Sequence, residues 1–112
     1  MIDSYKFGEI VVDGVKYTSD IIITEEGIKE NWWRKEGHKL CLQDLHGVLW
    51  EGVETLVVGS GCYGLMSVLP DVKNFLAEKN ISLEVSKTGN AVKIFNKLSK
   101  DKKIIGAFHL TC

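Results

Sequence analysis

The clearest pattern of apolar and polar positions lies in residues 55–85. A short apolar run, Leu56–Val58, ends at a glycine, as expected for a strand buried on both faces. After Pro70, which suits the first turn of a helix because its missing N–H is not needed there, apolar residues recur at helical spacing: Val72, Phe75 and Leu76. A second strand is predicted at Ile81–Val85, where apolar residues alternate with Ser82 and Glu84. We therefore predict a right-handed β-α-β unit whose parallel strands lie near the middle of a sheet.

The residues before this unit predict antiparallel strands. Asp13-Gly14 readily forms a two-residue hairpin turn, and Glu25–Gly27 is a second turn. β-branched and aromatic residues, which favour strands, fill the segments around the two turns. The predicted strands are Tyr5–Val12, Val15–Thr18, Ile21–Thr24 and Ile28–Trp33.

Two further helices and a last strand complete the pattern. A short helix is predicted from Gln43 to Leu49, and a longer one from Thr88, a good N-cap residue, to about Ser99. Ile104–Leu110 has the composition of a closing strand. The order predicts one α/β domain over residues 1–112, with a mixed sheet and an N-terminal β-hairpin.

Charge and cysteine content exclude several functions. The chain has 14 basic and 15 acidic residues, so no strong field attracts it to nucleic acid or to an anionic membrane. The apolar window Leu56–Leu69 contains three glycines and is shorter than a membrane-spanning helix. Three cysteines and no secretory signal fit a reducing compartment. We expect a cytoplasmic protein with no nucleic-acid or membrane partner.

The segment Gly59–Gly64 has the spacing G-x-G-x-x-G after a strand, and Glu84 lies where a ribose-binding acid would be expected. A pyrophosphate site, however, needs a helix that begins within the glycine turn. Pro70 places the predicted helix several residues later. We therefore interpret the glycines as residues that let the chain reverse direction, and we expect no cofactor.

Two His-x-x-Cys pairs, His38 with Cys41 and His109 with Cys112, could together supply four zinc ligands. His109 and Cys112 end a predicted strand, where alternation would direct the two side chains to opposite faces. We expect no bound metal.

Cys62 and Ser60 are the candidate nucleophiles, because both follow a buried strand. A nucleophile elbow needs glycine two positions before and two after the nucleophile, and Cys62 has Ser60 before it. A histidine base would be His38, His46 or His109, if the fold brings one close. We assign no catalytic residue.

The sequence Trp32-Trp33-Arg34 is a candidate partner-binding site. Successive strand residues face opposite ways, so the two indoles cannot enter the same core. We expect one indole in the core and the other available to a protein partner or to a second copy of the chain.

Several motifs together resemble the adipogenesis-associated Mth domain-containing family of small domains from archaea, bacteria and eukaryotes. They are Ser4-Tyr5-x-Phe7-Gly8, Trp33-Arg34, Thr55–Gly61, Thr88-x-x-Ala91 with Phe95-Asn96-x-Leu98, and Gly106–Cys112. The resemblance implies a three-layer fold with a mixed five-stranded central sheet, packed helices and a β-hairpin layer. It implies no known enzymatic activity, and the family's mitochondrial relatives include an assembly factor for respiratory complex I.

We interpret the chain as a non-catalytic protein-binding or assembly module. The alternative is a small-molecule-binding domain or enzyme with its site at the glycine turn. Open α/β sheets bind ligands beyond the carboxyl ends of their parallel strands. The residues expected in such a pocket are Gly59, Ser60, Gly61, Cys62, Thr88 and Asn90.

The interpretation of the glycine turn predicts that NAD and NADP do not bind. A calorimetric titration of the purified protein checks this, with Gly61→Val as the matched variant. Micromolar binding that is lost in Gly61→Val would show instead that the turn is a dinucleotide site.

Overall fold

A computed structural model describes all residues, 1–112. It contains ten strands, two α-helices and one 3₁₀ helix at Leu42–Leu45. The strands are β1 (Ile2–Lys6), β2 (Glu9–Val12), β3 (Val15–Tyr17), β4 (Ile21–Thr24), β5 (Gly27–Lys29), β6 (Lys39–Leu40), β7 (Thr55–Ser60), β8 (Ser67–Val68), β9 (Ser82–Ser86) and β10 (Ile104–His109). The helices are α1 (Pro70–Glu78) and α2 (Thr88–Leu98).

The central sheet is mixed and has five strands, in the order β5-β4-β10-β7-β9. β7 is parallel to both β10 and β9, whereas β4 is antiparallel to β10 and to β5. The predicted β-α-β unit is therefore present as β7-α1-β9. Its placement differs from the prediction, because β9 is an edge strand with no buried residue, and only β7 and β10 are buried throughout.

Two apolar layers cover the two faces of this sheet. In β7, Leu56 and Val58 pack in one cluster with α1 and the 3₁₀ segment, while Val57 packs in the other with α2 and the N-terminal strands. β1, β2 and β3 form a separate antiparallel sheet on the α2 side. The three-layer fold expected from the family resemblance is confirmed. Neither α-helix is long and apolar enough to cross a membrane.

The predicted strand Tyr5–Val12 is wrong in one respect, because it is two strands. Gly8 has a φ of 77° and reverses the chain, so that β1 pairs with β2. The predicted strand Ile28–Trp33 ends at Lys29, and Asn31 has a φ of 52°, outside the strand region.

The two predicted helices also need correction. The expected helix Gln43–Leu49 is only the short 3₁₀ segment, because Gly47 has a φ of 86° and Leu49 is exposed. Thr88 does not cap α2. It is the first helical residue, and its buried hydroxyl group bonds to other segments instead.

The close approach of α2 to β7 generates a stability prediction at Gly59. A Cβ atom there would lie 2.8 Å from Thr88 Oγ1, 2.9 Å from Phe108 Cδ1 and 3.2 Å from the Thr88 backbone. We expect Gly59→Ala to lower the free energy of unfolding by about 1–3 kcal/mol through overpacking.

Gly89 supplies the control, because a Cβ atom there would lie 4.0 Å from its nearest neighbour, Tyr5 Cδ2. Gly89→Ala should be neutral or stabilising by up to about 1 kcal/mol. Urea denaturation of both variants is the measurement, and an equal response of the two would contradict the packing argument.

Candidate functional site

The carboxyl ends of β7 and β10 lie side by side, with Ser60 opposite His109. The Thr88 hydroxyl group connects them, because it accepts a hydrogen bond from Gly61 N at 2.9 Å and donates one to His109 O at 2.6 Å. Ser60 Oγ donates to Ser86 O at 3.0 Å. Four of the predicted ligand residues, Gly59, Ser60, Gly61 and Thr88, therefore meet at this edge.

The glycine turn is covered by the last residues of the chain. Gly61 has a φ of 105°, and a Cβ atom there would lie 2.5 Å from Cys112 O and 2.9 Å from His109 Cδ2. Cys62 N donates to Thr111 O at 2.6 Å, and Leu65 N donates to Cys112 O at 3.3 Å. The space beyond the turn, where open α/β sheets bind ligands, is thus occupied by this chain itself.

The depressions on the surface lie elsewhere, and none is lined by Gly59, Ser60, Gly61, Cys62, Thr88 or Asn90. Asn90 is exposed and donates to Ser86 Oγ at 3.2 Å. The ligand-binding role of these residues stays a prediction.

A charge cluster lies beneath this edge, in which the half-buried Asp20 contacts the buried Arg34 and His109. Asp20 Oδ2 is 2.8 Å from His109 Nδ1 and 2.9 Å from Arg34 Nη1, although Nη1 lacks the alignment of a hydrogen bond. Asp20 Oδ1 accepts a hydrogen bond from Leu110 N at 2.7 Å. The carboxylate therefore joins the start of β4 to the end of β10 and to the loop that carries Arg34.

The protonation of Asp20 follows from this environment. Burial raises the pKa of the carboxyl group, but the hydrogen bonds from His109 and Leu110 and the charges of His109 and Arg34 outweigh burial and lower the pKa below its usual value. Asp20 is therefore an anion at neutral pH, and its charge balances the Arg34 guanidinium group.

His109 is held through one ring nitrogen only. Its Nδ1 atom faces Asp20 and lies 2.9 Å from Arg34 Nη2, while its buried Nε2 atom has no hydrogen-bond partner. The Asp20 carboxylate accepts a hydrogen bond from Nδ1 only when that atom carries a proton, whereas Arg34 Nη2 can donate to Nδ1 only when it does not, so the two neighbours compete for this nitrogen. The His38 ring packs edge-on against His109, with centroids 6.1 Å apart.

The two His-x-x-Cys pairs do not converge as ligand sets. Their histidines meet, but Cys41 Sγ donates instead to Asp44 Oδ2 at 3.3 Å. No three His, Cys, Asp or Glu side chains are arranged to hold a metal ion. We still expect that the protein binds no metal ion.

The candidate nucleophiles are not paired with a base. Ser60 Oγ donates to a carbonyl group, and the side-chain hydrogen-bond partner of Cys62 is Tyr5. Tyr5 is the neighbour of Cys62, and burial together with Cys62 raises the pKa of the Tyr5 phenol to about 12. Tyr5 Oη donates to Leu110 O at 2.8 Å, so this neutral phenol helps to fasten the end of β10.

The Trp32-Trp33-Arg34 corner places three consecutive side chains differently. Trp32 is buried, its Nε1 atom donates to Asp44 O at 2.8 Å, and its ring lies 4.7 Å from Arg34 Cζ. Arg34 is buried and also donates from Nε and Nη2 to Gly37 O. Trp33 is 85% exposed. One indole in the core and one outside is the arrangement that the sequence predicted.

The sequence interpretation did not include Asp20 or Tyr5 among the site residues. The available signal for Asp20 was a charged residue directly before the apolar run Ile21–Ile23. That pattern is also typical of an exposed strand end. Only the fold shows that this carboxylate is half-buried and contacts Arg34 and His109.

Comparison with known proteins agrees with the fold. A family described as "Protein of unknown function (DUF498/DUF598)" matches residues 2–109. The conserved hypothetical protein PH1505 from Pyrococcus horikoshii OT3 is 29% identical with a TM-score of 0.85, and the match covers 100% of this chain and 99% of that chain. A protein named MT938 is 25% identical with a TM-score of 0.77, covering 100% and 98%.

A Mth938-like domain from Bordetella pertussis shares the fold at 18% identity, with a TM-score of 0.74 and coverage of 98% of this chain and 85% of that chain. The resemblance to Mth-type domains is confirmed by the family match together with these structures.

The Asp20 cluster generates a prediction for stability against pH. Because the folded-state pKa is lowered, the ionised Asp20 stabilises the fold above its unfolded pKa of about 3.9, and this contribution is lost as pH falls through the folded pKa. Asp20→Asn should cost about 3–5 kcal/mol at neutral pH, because Arg34 stays buried without its counter-charge.

The measurement is urea denaturation of the wild type and Asp20→Asn from neutral to acid pH, where the difference should shrink below about pH 4. Asp13→Asn is the control, since Asp13 pairs with the N-terminus at an exposed site and should change stability little. A difference that stays constant down to about pH 2 would contradict the assignment.

Proposed function

The chain belongs to the DUF498/DUF598 family of proteins of unknown function, and we propose that this member is a non-catalytic protein-binding or assembly module that docks through Trp33. The observation that supports the proposal is the exposure of Trp33 between two buried neighbours. Trp33 is 85% exposed, whereas Trp32 and Arg34 are 4% and 8% exposed. Tryptophan is among the residues that contribute most to protein–protein affinity when a partner buries them.

The Trp33 backbone is fixed on both sides. Trp32 N donates to Asp20 O at 2.9 Å, and the Trp32 indole is held by Asp44 O. On the other side, Arg34 is tied to Asp20 and to Gly37. A partner that covers Trp33 therefore loses little conformational entropy in ordering this corner, which favours binding.

The cellular location that fits this function is the cytoplasm. Cys41, Cys62 and Cys112 are all unpaired thiols, and a reducing compartment keeps thiols in that form. An assembly module there would meet its partners without disulfide exchange.

A second candidate function is a small-molecule site or enzyme at the glycine turn, which the unpartnered His109 Nε2 atom favours. An Asp-His pair with a free Nε2 lone pair has the arrangement of a general base. Residues 111–112 would have to move away from Gly61 to admit a ligand. Because residues 111–112 cover the glycine turn, we rank this function below protein binding.

The proposal predicts different consequences for the two indoles. Trp33→Ala should weaken association by about 2 kcal/mol or more with little loss of fold stability. Trp32→Ala should instead lower the free energy of unfolding by about 3–5 kcal/mol, because it empties a core position.

The measurements are chemical denaturation, co-purification of partners on immobilised protein, and light scattering for self-association. Leu65→Ala is the matched control, because Leu65 is an exposed apolar residue on a different loop. If Trp33→Ala and Leu65→Ala change every association to the same extent, Trp33 is not the docking residue.

A further inference from the structure

We propose that β9 pairs with β9 of a second copy of this chain, so that two central sheets join across a two-fold axis at Glu84. This inference concerns a surface other than Trp33 and goes beyond the proposed function. It is supported by unused backbone groups along β9, by the open state of this edge of the sheet and by the symmetry of the β9 sequence.

The outer side of β9 has backbone groups that bond to nothing else in the chain. Ser82 N donates to Glu54 O at 2.9 Å, and β9 runs parallel to β7 without a shift in register. Because backbone groups alternate in direction along a strand, every second residue from Ser82 onward bonds to β7. The residues between them, Leu83 and Val85, direct their N–H and C=O groups away from the sheet, where no other segment bonds to them.

The two edges of the central sheet differ in their protection. β5, at one edge, has three residues and includes Lys29, and a short strand and a lysine both hinder edge pairing. β9, at the other edge, has five residues, with no lysine, proline or bulge and no buried residue. Its apolar Val85 is 43% exposed. An unprotected edge strand of this kind is a template for pairing with another chain.

The sequence of β9 is nearly the same in both directions. It is Ser-Leu-Glu-Val-Ser, with Glu84 at the centre. In an antiparallel pair centred on Glu84, Leu83 of each copy lies opposite Val85 of the other. Both residues direct their backbone groups outward, so this register forms four hydrogen bonds between the copies. The same register brings the Leu83 and Val85 side chains of both copies together on one face.

The neighbouring symmetric registers use fewer of the free groups. A pair centred on Leu83 would need Ile81 N, which is already bonded to a carbonyl group of α1. A pair centred on Val85 would need Lys87 O, which already accepts two hydrogen bonds from α2. The register centred on Glu84 therefore satisfies the most backbone groups.

Glu84 limits how tightly the two copies associate. Its carboxylates in the two copies lie opposite each other on the two-fold axis, and like charges in this position oppose pairing. Ser82 and Ser86 lie on the same face as Glu84, and neither hydroxyl group donates a hydrogen bond within the chain. Four serine hydroxyl groups are thus available to the two carboxylates, which reduces the repulsion.

The size of the contact also indicates a weak dimer. A ladder of five residues buries much less than the roughly 800 Å² per partner of a stable interface, so we expect an exchanging dimer with a Kd of about 10–300 µM. Trp33 follows β5, at the opposite edge of the sheet from β9. The dimer therefore presents Trp33 twice, and a partner with two binding sites would gain avidity from it.

Disulfide cross-linking tests the register. Glu84→Cys places two thiol groups directly opposite each other, with Cβ atoms about 4.5–5.5 Å apart, so mild oxidation should convert most of the protein to a covalent dimer. Ser82→Cys is the matched control, because its two thiol groups would lie about 13 Å apart along the strands, too far for a disulfide. The wild type, with its three free cysteines, gives the background.

Sedimentation equilibrium up to about 1 mM protein tests the dimer without a cross-link. Val85→Pro removes an N–H group that the monomer does not use and should weaken dimerisation at least about tenfold. Lys16→Pro is its control, because Lys16 lies on an edge strand of the N-terminal sheet and its N–H group also faces outward. Glu84→Gln should tighten the dimer about two- to fivefold, since it removes the like-charge pair.

Three results would overturn this inference. They are the absence of a wild-type dimer at about 1 mM, equal cross-linking of Glu84→Cys and Ser82→Cys, and a Glu84→Gln dimer no tighter than that of the wild type. Self-association that is lost in Trp33→Ala but kept in Val85→Pro would also overturn it, and would support Trp33 as the contact instead. Because Trp33 lies outside β9, the proposed function is judged independently of these variants.

Discussion

The ionised carboxylate of Asp20 is the constraint on which the arrangement of the loops depends. Its two oxygen atoms contact His109, Arg34 and the backbone of Leu110. The Arg34 guanidinium group is buried, and a buried charge is costly without its counter-charge, so separating these segments would cost free energy. The loop that carries Arg34 is held by this requirement, which fixes the chain on one side of Trp33.

The same constraint explains why the usual ligand position of an α/β sheet is filled. Leu110 is tied to Asp20 through its N–H group and to Tyr5 through its carbonyl group. The residues after Leu110 are thereby directed over Gly61, whose missing side chain leaves room for the backbone of Cys112. Glycine at this turn serves the packing of one segment of the chain on another, whereas in a dinucleotide fold it admits a phosphate.

The secondary-structure elements that could be predicted from the sequence are those determined by residues close together in the chain. The β7-α1-β9 unit follows from the apolar run at Leu56–Val58, the proline at position 70 and the helical period, which are all contained in about thirty residues. Asp20 could not be predicted in this way, because His109 lies 89 residues further along the chain. Thr88 was misassigned for a related reason, since the partners of its hydroxyl group belong to β10 and to the glycine turn.

The two tryptophans show how a correct prediction can have a different physical cause. Strand alternation predicted one buried and one exposed indole, but β5 ends at Lys29 and no strand passes through Trp32. The division arises instead because the Trp32 indole packs in the core and donates to Asp44 O, while Arg34 turns inward to the Asp20 carboxylate. Residues 32 and 34 are thus both directed inward, and Trp33 between them faces solvent. The exposure of Trp33 therefore depends on two separate contacts, one apolar and one ionic, on either side of it.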